Sequence, residues 1–159
     1  MRSTTYYIPL PDLSATQLLA RQIAALATIG EVLTLSGDLG VGKTTFSRFF
    51  IKHIIPQVEE VVSPTFTLLQ SYNSDILPIW HFDLYRLQTA EEAVELGVDE
   101  AFINGFSLIE WPEIIDRWLP RDRLSLELTF GRSEDERIAT IRGTGTWIQK
   151  LQIISEASW

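Results

Sequence analysis

The chain has no cysteine, one methionine and only three lysines, Lys43, Lys52 and Lys150, among its 159 residues. Without cysteine there is neither a disulfide framework nor a thiolate metal site, so the fold is expected to rest on its apolar core. No apolar run approaches the roughly 20 residues that a membrane-spanning helix needs, and the opening MRSTTYYIPLPDLS lacks the apolar stretch of a leader peptide. A cytoplasmic protein with no membrane contact is the expectation. Positive charge is scarce as well: 13 basic against 21 acidic residues give a net charge of −8. Such a surface repels phosphate backbones, which argues against a protein that grips DNA or RNA by itself. One local exception, Arg117, Arg121 and Arg123, is interleaved with Asp116 and Asp122 and reads as a solvated face.

What is present is a folding sequence: 45% hydrophobic residues, eight phenylalanines and five tryptophans in a length that supports one core. A single domain over residues 1–159 is expected. SATQLLARQIAAL carries an apolar stripe through Ala15, Leu18, Leu19, Ile23 and Leu26, and Ser14 and Gln17 stand at capping-box spacing, so a helix starting at Ser14 is expected. EVLTLS reads as a strand and TTFSRFFIKHI as a second helix. TLLQSY and ILPIWHFDLYRL flank the turn residues NSD as a hairpin, with Pro78 marking an edge or bulge. Thr89 and Glu92 cap a short helix that Gly97 stops, FSLIE is a buried strand closed by Pro112, LSLELTF and RIATIR alternate as strands, and WIQKLQII forms a last helix. Strands interleaved with helices, with at least one hairpin, define an α/β fold: a mixed sheet flanked by helices in three layers.

Between EVLTLS and the helix that follows lies GDLGVGKTT, where three glycines interrupt otherwise regular structure. Gly37, Gly42, Lys43 and Thr44 satisfy G-x-x-x-x-G-K-[ST] in the strand-to-helix context that gives the pattern its meaning, a phosphate-binding loop. Glycines let successive backbone N–H groups converge on one concavity, and the helix adds the positive end of its dipole there. Lys43 is then expected to reach the β- and γ-phosphates and Thr44 to ligate Mg²⁺, with Gly37, Asp38, Leu39, Gly40, Val41, Gly42, Lys43, Thr44 and Thr45 wrapping the phosphates of a nucleotide. No N-K-x-D-like segment for a guanine base follows, which favours ATP over GTP.

Magnesium and an attacking water require acids nearby. Asp83, within IWHFDLYRL, and Glu110, ending FSLIE, stand at the ends of apolar runs from which each can face the loop. If residues 80–85 are extended, His81, Asp83 and Tyr85 share one face and Trp80, Phe82 and Leu84 the other. His81 is open to a structural as well as a functional role.

Four stretches, GDLGVGKTT, SPTFTLLQSY, HFDLYRL and LIEWPE, in this order across residues 37–113, resemble the bacterial TsaE (YjeE) family of small P-loop ATPases. The resemblance implies an ATPase needed to make threonylcarbamoyladenosine beside the anticodon of tRNA, working with the paralogous partners TsaB and TsaD and touching tRNA only indirectly. TsaD would carry out threonylcarbamoyl transfer, and ATP turnover would reset the complex between rounds. Residue by residue it makes Lys43 the phosphate lysine and Thr44, Asp83 and Glu110 the group around metal and water. Thr65 would lie in a switch-like loop near the γ-phosphate, and Trp111 beside the nucleotide or a partner. From the residues alone, Trp111 reads equally as a core aromatic and Thr65 as part of any extended loop. Two other classes share the phosphate loop: a small-molecule kinase, although no arginine-rich lid segment is evident, and a nucleotide-gated interaction module. Arg48 and Arg86 are the nearest resident candidates for a charge-stabilising arginine, and both read equally as surface residues.

Overall fold

The structure, a computed structural model, describes residues 2–157. Its strands are β1 (Ser3–Leu10), β2 (Val32–Ser36), β3 (Leu69–Tyr72), β4 (Ile79–Asp83), β5 (Phe106–Glu110), β6 (Leu124–Phe130) and β7 (Arg137–Thr144). Its helices are α1 (Leu13–Leu26), α2 (Lys43–Ile54), α3 (Ala90–Glu95), α4 (Val98–Asn104) and α5 (Trp147–Glu156), with a 3₁₀ segment over Pro112–Trp118. The strands form one mixed sheet in the order β1-β7-β6-β2-β5-β4-β3, so the α/β expectation holds. The central strands β4, β5, β2 and β6 are parallel, while β3, β7 and β1 pair antiparallel on the two flanks.

Two apolar clusters sandwich the sheet, and their unequal extent shapes the molecule. On one side α1, α2 and α5 bury Leu19, Ile23, Phe46, Phe50, Trp147 and Leu151 against Leu33, Leu35, Leu108, Leu126 and Ile141. On the other, α3, α4 and the 3₁₀ segment place Ala93, Val98, Ala101 and Ile115 over Val32, Phe82 and Ile109, residues of β2, β4 and β5. Three layers therefore exist over β2, β5 and β4. Across β6, β7 and β1 the second face is bare, with Glu127, Thr129, Ile138, Arg142, Thr5, Tyr7 and Pro9 exposed.

Three local expectations need revision. Helix α1 begins at Leu13, and its N-cap is Asp12, in extended conformation, whose Oδ1 accepts the N–H of Ala15 at 3.0 Å. Ser14 thus lies inside the first turn and its spacing to Gln17 is incidental, since aspartate two residues earlier already caps the helix through the N–H of Ala15. The N-terminal segment, read above only for a leader, is β1, an edge strand that tolerates Pro9. Gly97 ends α3 at φ 94°, as expected, but the chain restarts immediately as α4. The capping box at Thr89 and Glu92 is present, and backbone N–H groups of Thr89 and Gln88 on the carboxylate lower the Glu92 pKa.

Candidate functional site

The ends of β2, β4 and β5 bring the chemistry together. Strand β2 is parallel to β5 and β5 to β4, and Asp83 stands opposite Glu110 in register, so both acids finish their strands beside the loop that follows Ser36. This is the edge at which parallel sheets hold ligands. Gly37, Gly40 and Gly42 all adopt positive φ, at 138°, 77° and 119°, which side chains of L residues resist. Gly37 also lies so close to the Leu128 carbonyl that a Cβ there would collide with backbone. Helix α2 starts at Lys43 with no side-chain cap, leaving its first N–H groups, and the positive dipole end, directed into the loop.

Lys43 is buried, and its ammonium donates to the carbonyls of Gly37 (2.6 Å) and Asp38 (2.9 Å) while lying 4.1 Å above the Trp111 ring. Burial lowers its pKa from 10.5, and the negative charges of Glu110, Asp83, Glu113 and Asp38 oppose that shift. Thr44 donates its hydroxyl to Glu110 Oε1 at 2.7 Å. The other carboxylate oxygen of Glu110 accepts from His81 Nε2 at 2.5 Å, with both side chains cut off from solvent. Asp83 Oδ1 accepts the N–H of Tyr85 (3.0 Å) and Oδ2 the hydroxyl of Thr65 (3.3 Å), and Ser63 in turn donates to Thr65 at 2.7 Å. His81 and Asp83 share the face turned toward α2, in keeping with strand alternation, and there His81 meets Glu110. Its second ring nitrogen, Nδ1, is buried without a partner among the described residues.

A cleft of about 280 Å³ is lined by Leu39, Gly40, Gly42, Lys43, Thr44, Thr45, Thr65, Asp83, Tyr85, Glu110 and Trp111. Most of the expected site residues thus meet at one place. Gly37 and Asp38 lie behind it, contributing carbonyls to Lys43, and Val41 turns into the core and toward a second cleft. Trp111 is no core aromatic: it is partly exposed, packs against Tyr85 in a tilted arrangement with ring centroids 4.6 Å apart, and sits at φ 57° and ψ 60°. A bulky residue in that region is strained by about 1–2 kcal/mol, a cost concentrated where the cleft is shaped. Leu68, at the end of the SPTF turn, adopts φ 68° as well.

The second cleft, about 420 Å³, lies on the other flank of the same loop and shares Gly40, Gly42 and Thr45 with the first. Asp12, Leu13, Thr16, Leu128, Glu134, Asp135 and Arg137 complete it. Arg137 is a residue sequence reasoning missed: its Nε donates to the Val41 carbonyl at 2.9 Å and its Nη1 donates to the carbonyls of both Glu134 and Glu136, bracing the loop from β7. With 95 residues between the partners, no local signal announces that contact. Of the two arginines nearest the site by sequence, Arg48 is committed to the Val61 carbonyl and Arg86 stacks over the exposed ring of Phe66.

The family model for "Threonylcarbamoyl adenosine biosynthesis protein TsaE" matches residues 10–139. A Bacillus subtilis protein named as a tRNA threonylcarbamoyladenosine biosynthesis protein TsaE is 41% identical over 138 residues, covering 86% of this chain and 84% of that relative. A Rickettsia bellii protein of the same name is also 41% identical, over 79% of this chain and 87% of its own length. The crystal structure of YdiB from Bacillus subtilis superposes with a TM-score of 0.80 at 32% identity, covering 98% of this chain and 97% of that one. The chain belongs to the TsaE family.

Proposed function

We propose that this protein binds and hydrolyses ATP with Mg²⁺, and that this turnover serves tRNA threonylcarbamoyladenosine biosynthesis by driving repeated rounds of the TsaB–TsaD complex. The observation that carries the ATPase reading is the meeting of Lys43, Thr44, Asp83 and Glu110 in one cleft above three positive-φ glycines. The N–H groups of residues 39–45 would hold the phosphates, and the Lys43 ammonium, now on the Gly37 and Asp38 carbonyls, would supply positive charge to them. A hydroxyl and two carboxylates form a hard-oxygen donor set that suits magnesium, with Thr44, Asp83 and Glu110 holding it directly or through water. The metal, when bound, neutralises charge on the phosphates. Glu110, fixed by His81, is placed to orient a water and accept its proton, and Thr65 couples the SPTF turn to Asp83.

In this reading the nucleoside would occupy the second cleft, and support for it is that Gly40, Gly42 and Thr45 line both clefts. Its carboxylates, Asp12, Glu134 and Asp135, offer acceptors suited to the exocyclic amine of adenine, between the apolar sides of Leu13 and Leu128. No described arginine lines the phosphate cleft, so hydrolysis by the isolated chain is slow and a partner accelerates it. No described helix is long and apolar enough to cross a membrane. The test is a steady-state ATPase titration with the TsaB–TsaD pair, followed by tRNA modification measured beyond one turnover per complex. Partner-stimulated hydrolysis and multiple turnover that require this chain are expected. Unchanged hydrolysis, with modification proceeding equally without the chain, rejects the assignment.

A further inference from the structure

In the linear sequence Arg117, Arg121 and Arg123 belong together, but the fold assembles a different set. The hydroxyl of Thr144, at the end of β7, donates to the Arg121 carbonyl at 2.6 Å and accepts the N–H of Arg123 at 2.9 Å, fastening the 120–123 turn to the sheet. Arg142 stands two residues earlier on β7, opposite Ser125 of β6 and Thr5 of β1. Arg121, Arg123, Arg142, Ser125 and Thr144 line a groove of about 390 Å³ with no carboxylate among them. None of the three arginines is in a salt bridge among the described residues. Arg123 is half-engaged: one terminal nitrogen donates to the Pro120 carbonyl at 2.8 Å, while its buried Nε has no partner. The intervening Asp122 packs its carboxylate against Gly145.

Position decides what these charges are for. β6 runs parallel to β2, and the groove lies at the start of β6, so it is at the end of the sheet opposite Ser36 and the phosphate loop. The three guanidinium groups therefore cannot stabilise charge in this chain's own nucleotide cleft. They open instead onto the half of the sheet that no helix among the described residues covers.

We propose that this groove docks an acidic surface of a partner protein, whose carboxylates seat between Arg121, Arg123 and Arg142. Guanidinium groups match carboxylates in bidentate geometry, and a carboxylate cluster on a protein asks only for local complementarity. RNA presents phosphates over its whole surface, and beyond the groove a chain with 21 acidic against 13 basic residues repels them. The inference stands on the groove alone and does not depend on ATP hydrolysis.

The experiment titrates the ¹⁵N-labelled full chain with a short polyglutamate peptide and, separately, with an unmodified tRNA transcript, each at low and at raised salt. The peptide is expected to shift Arg121, Arg123, Ser125, Arg142 and Thr144, with binding weakened by salt and by at least ~10-fold in Arg123→Gln/Arg142→Gln, while ATPase stays within about twofold of the parent. Arg142→Gln alone, whose side chain makes no hydrogen bond among the described residues, is the second variant should the double one fail to fold, and it is expected to weaken peptide binding severalfold. Peptide binding unaffected by these substitutions, or shifts that spare the groove, overturns the proposal. So does tRNA saturating the same residues more tightly than the peptide, which assigns the groove to RNA.

Discussion

The two ends of the sheet carry opposite charge and treat it in opposite ways. Where β2, β4 and β5 finish, Asp83 and Glu110 are almost fully buried, and the hydroxyls of Thr44 and Thr65, the His81 ring and a backbone N–H hold their four oxygens. Where β6 begins and β7 ends, Arg121 and Arg142 are exposed and Arg123 only partly covered, and the backbone beneath them is what is fastened. Buried charge is costly unless its partners are in place, so the acidic end holds its two carboxylates in fixed orientations, as the proposed cation and phosphate site requires. Exposed charge costs little to keep and pays little until a partner excludes water, which suits an encounter surface.

The comparison breaks most visibly at Lys43. Lys43→Ala removes the one full positive charge of the phosphate cleft and is expected to lower ATPase by ~10³-fold while leaving the peptide titration of the arginine groove unchanged. Parent-rate hydrolysis in a steady-state assay would remove the phosphate-loop reading. Glu110→Gln keeps the shape and the hydrogen bonds from Thr44 or His81 while removing a base, so hydrolysis should fall by ~10²-fold with ATP affinity by calorimetry changing less than ~10-fold. An equal loss in both quantities would instead make Glu110 a binding residue.

At the other end the effects are smaller and fall on stability. Thr144→Val preserves the shape but strands the Arg121 carbonyl and the Arg123 N–H, costing about 1–2 kcal/mol, or a Tm lower by ~3–6 °C in thermal unfolding, with ATPase intact. A variant that melts with the parent would show that the turn stands without that hydroxyl. Arg142→Gln should alter unfolding free energy by less than ~0.5 kcal/mol, as measured in urea. A larger loss would turn Arg142 from a docking residue into a structural one.

How much of this was legible beforehand varied with the range of the signal. The phosphate loop, its strand and its helix lie in one contiguous stretch, and each element there is required by local backbone chemistry. The same is true of the hairpin around residues 69–83 and of the capping box at Thr89 and Glu92. Asp83 and Glu110 were readable as strand-end acids, whereas their bonds to Thr65, Thr44 and His81 span 18, 66 and 29 residues and required the sheet order. Strand β1 was missed because an edge strand with proline and an exposed face carries a weak pattern, and α4 because a stop at Gly97 does not reveal that a new helix starts.

The sequence by itself determined the local identities: a glycine loop of G-x-x-x-x-G-K-[ST] pattern between a strand and a helix, the period of most strands and helices, and a family signature carried by four short stretches. Tertiary structure alone decided which distant residues became neighbours. It chose Arg137 to brace Val41, exchanged Arg117 for Arg142 in the basic groove, and left β6, β7 and β1 bare on one face. The reason is physical: backbone conformation is dictated by neighbours a few residues away, but strand order and the packing of two unequal apolar clusters are settled by burial across the whole chain.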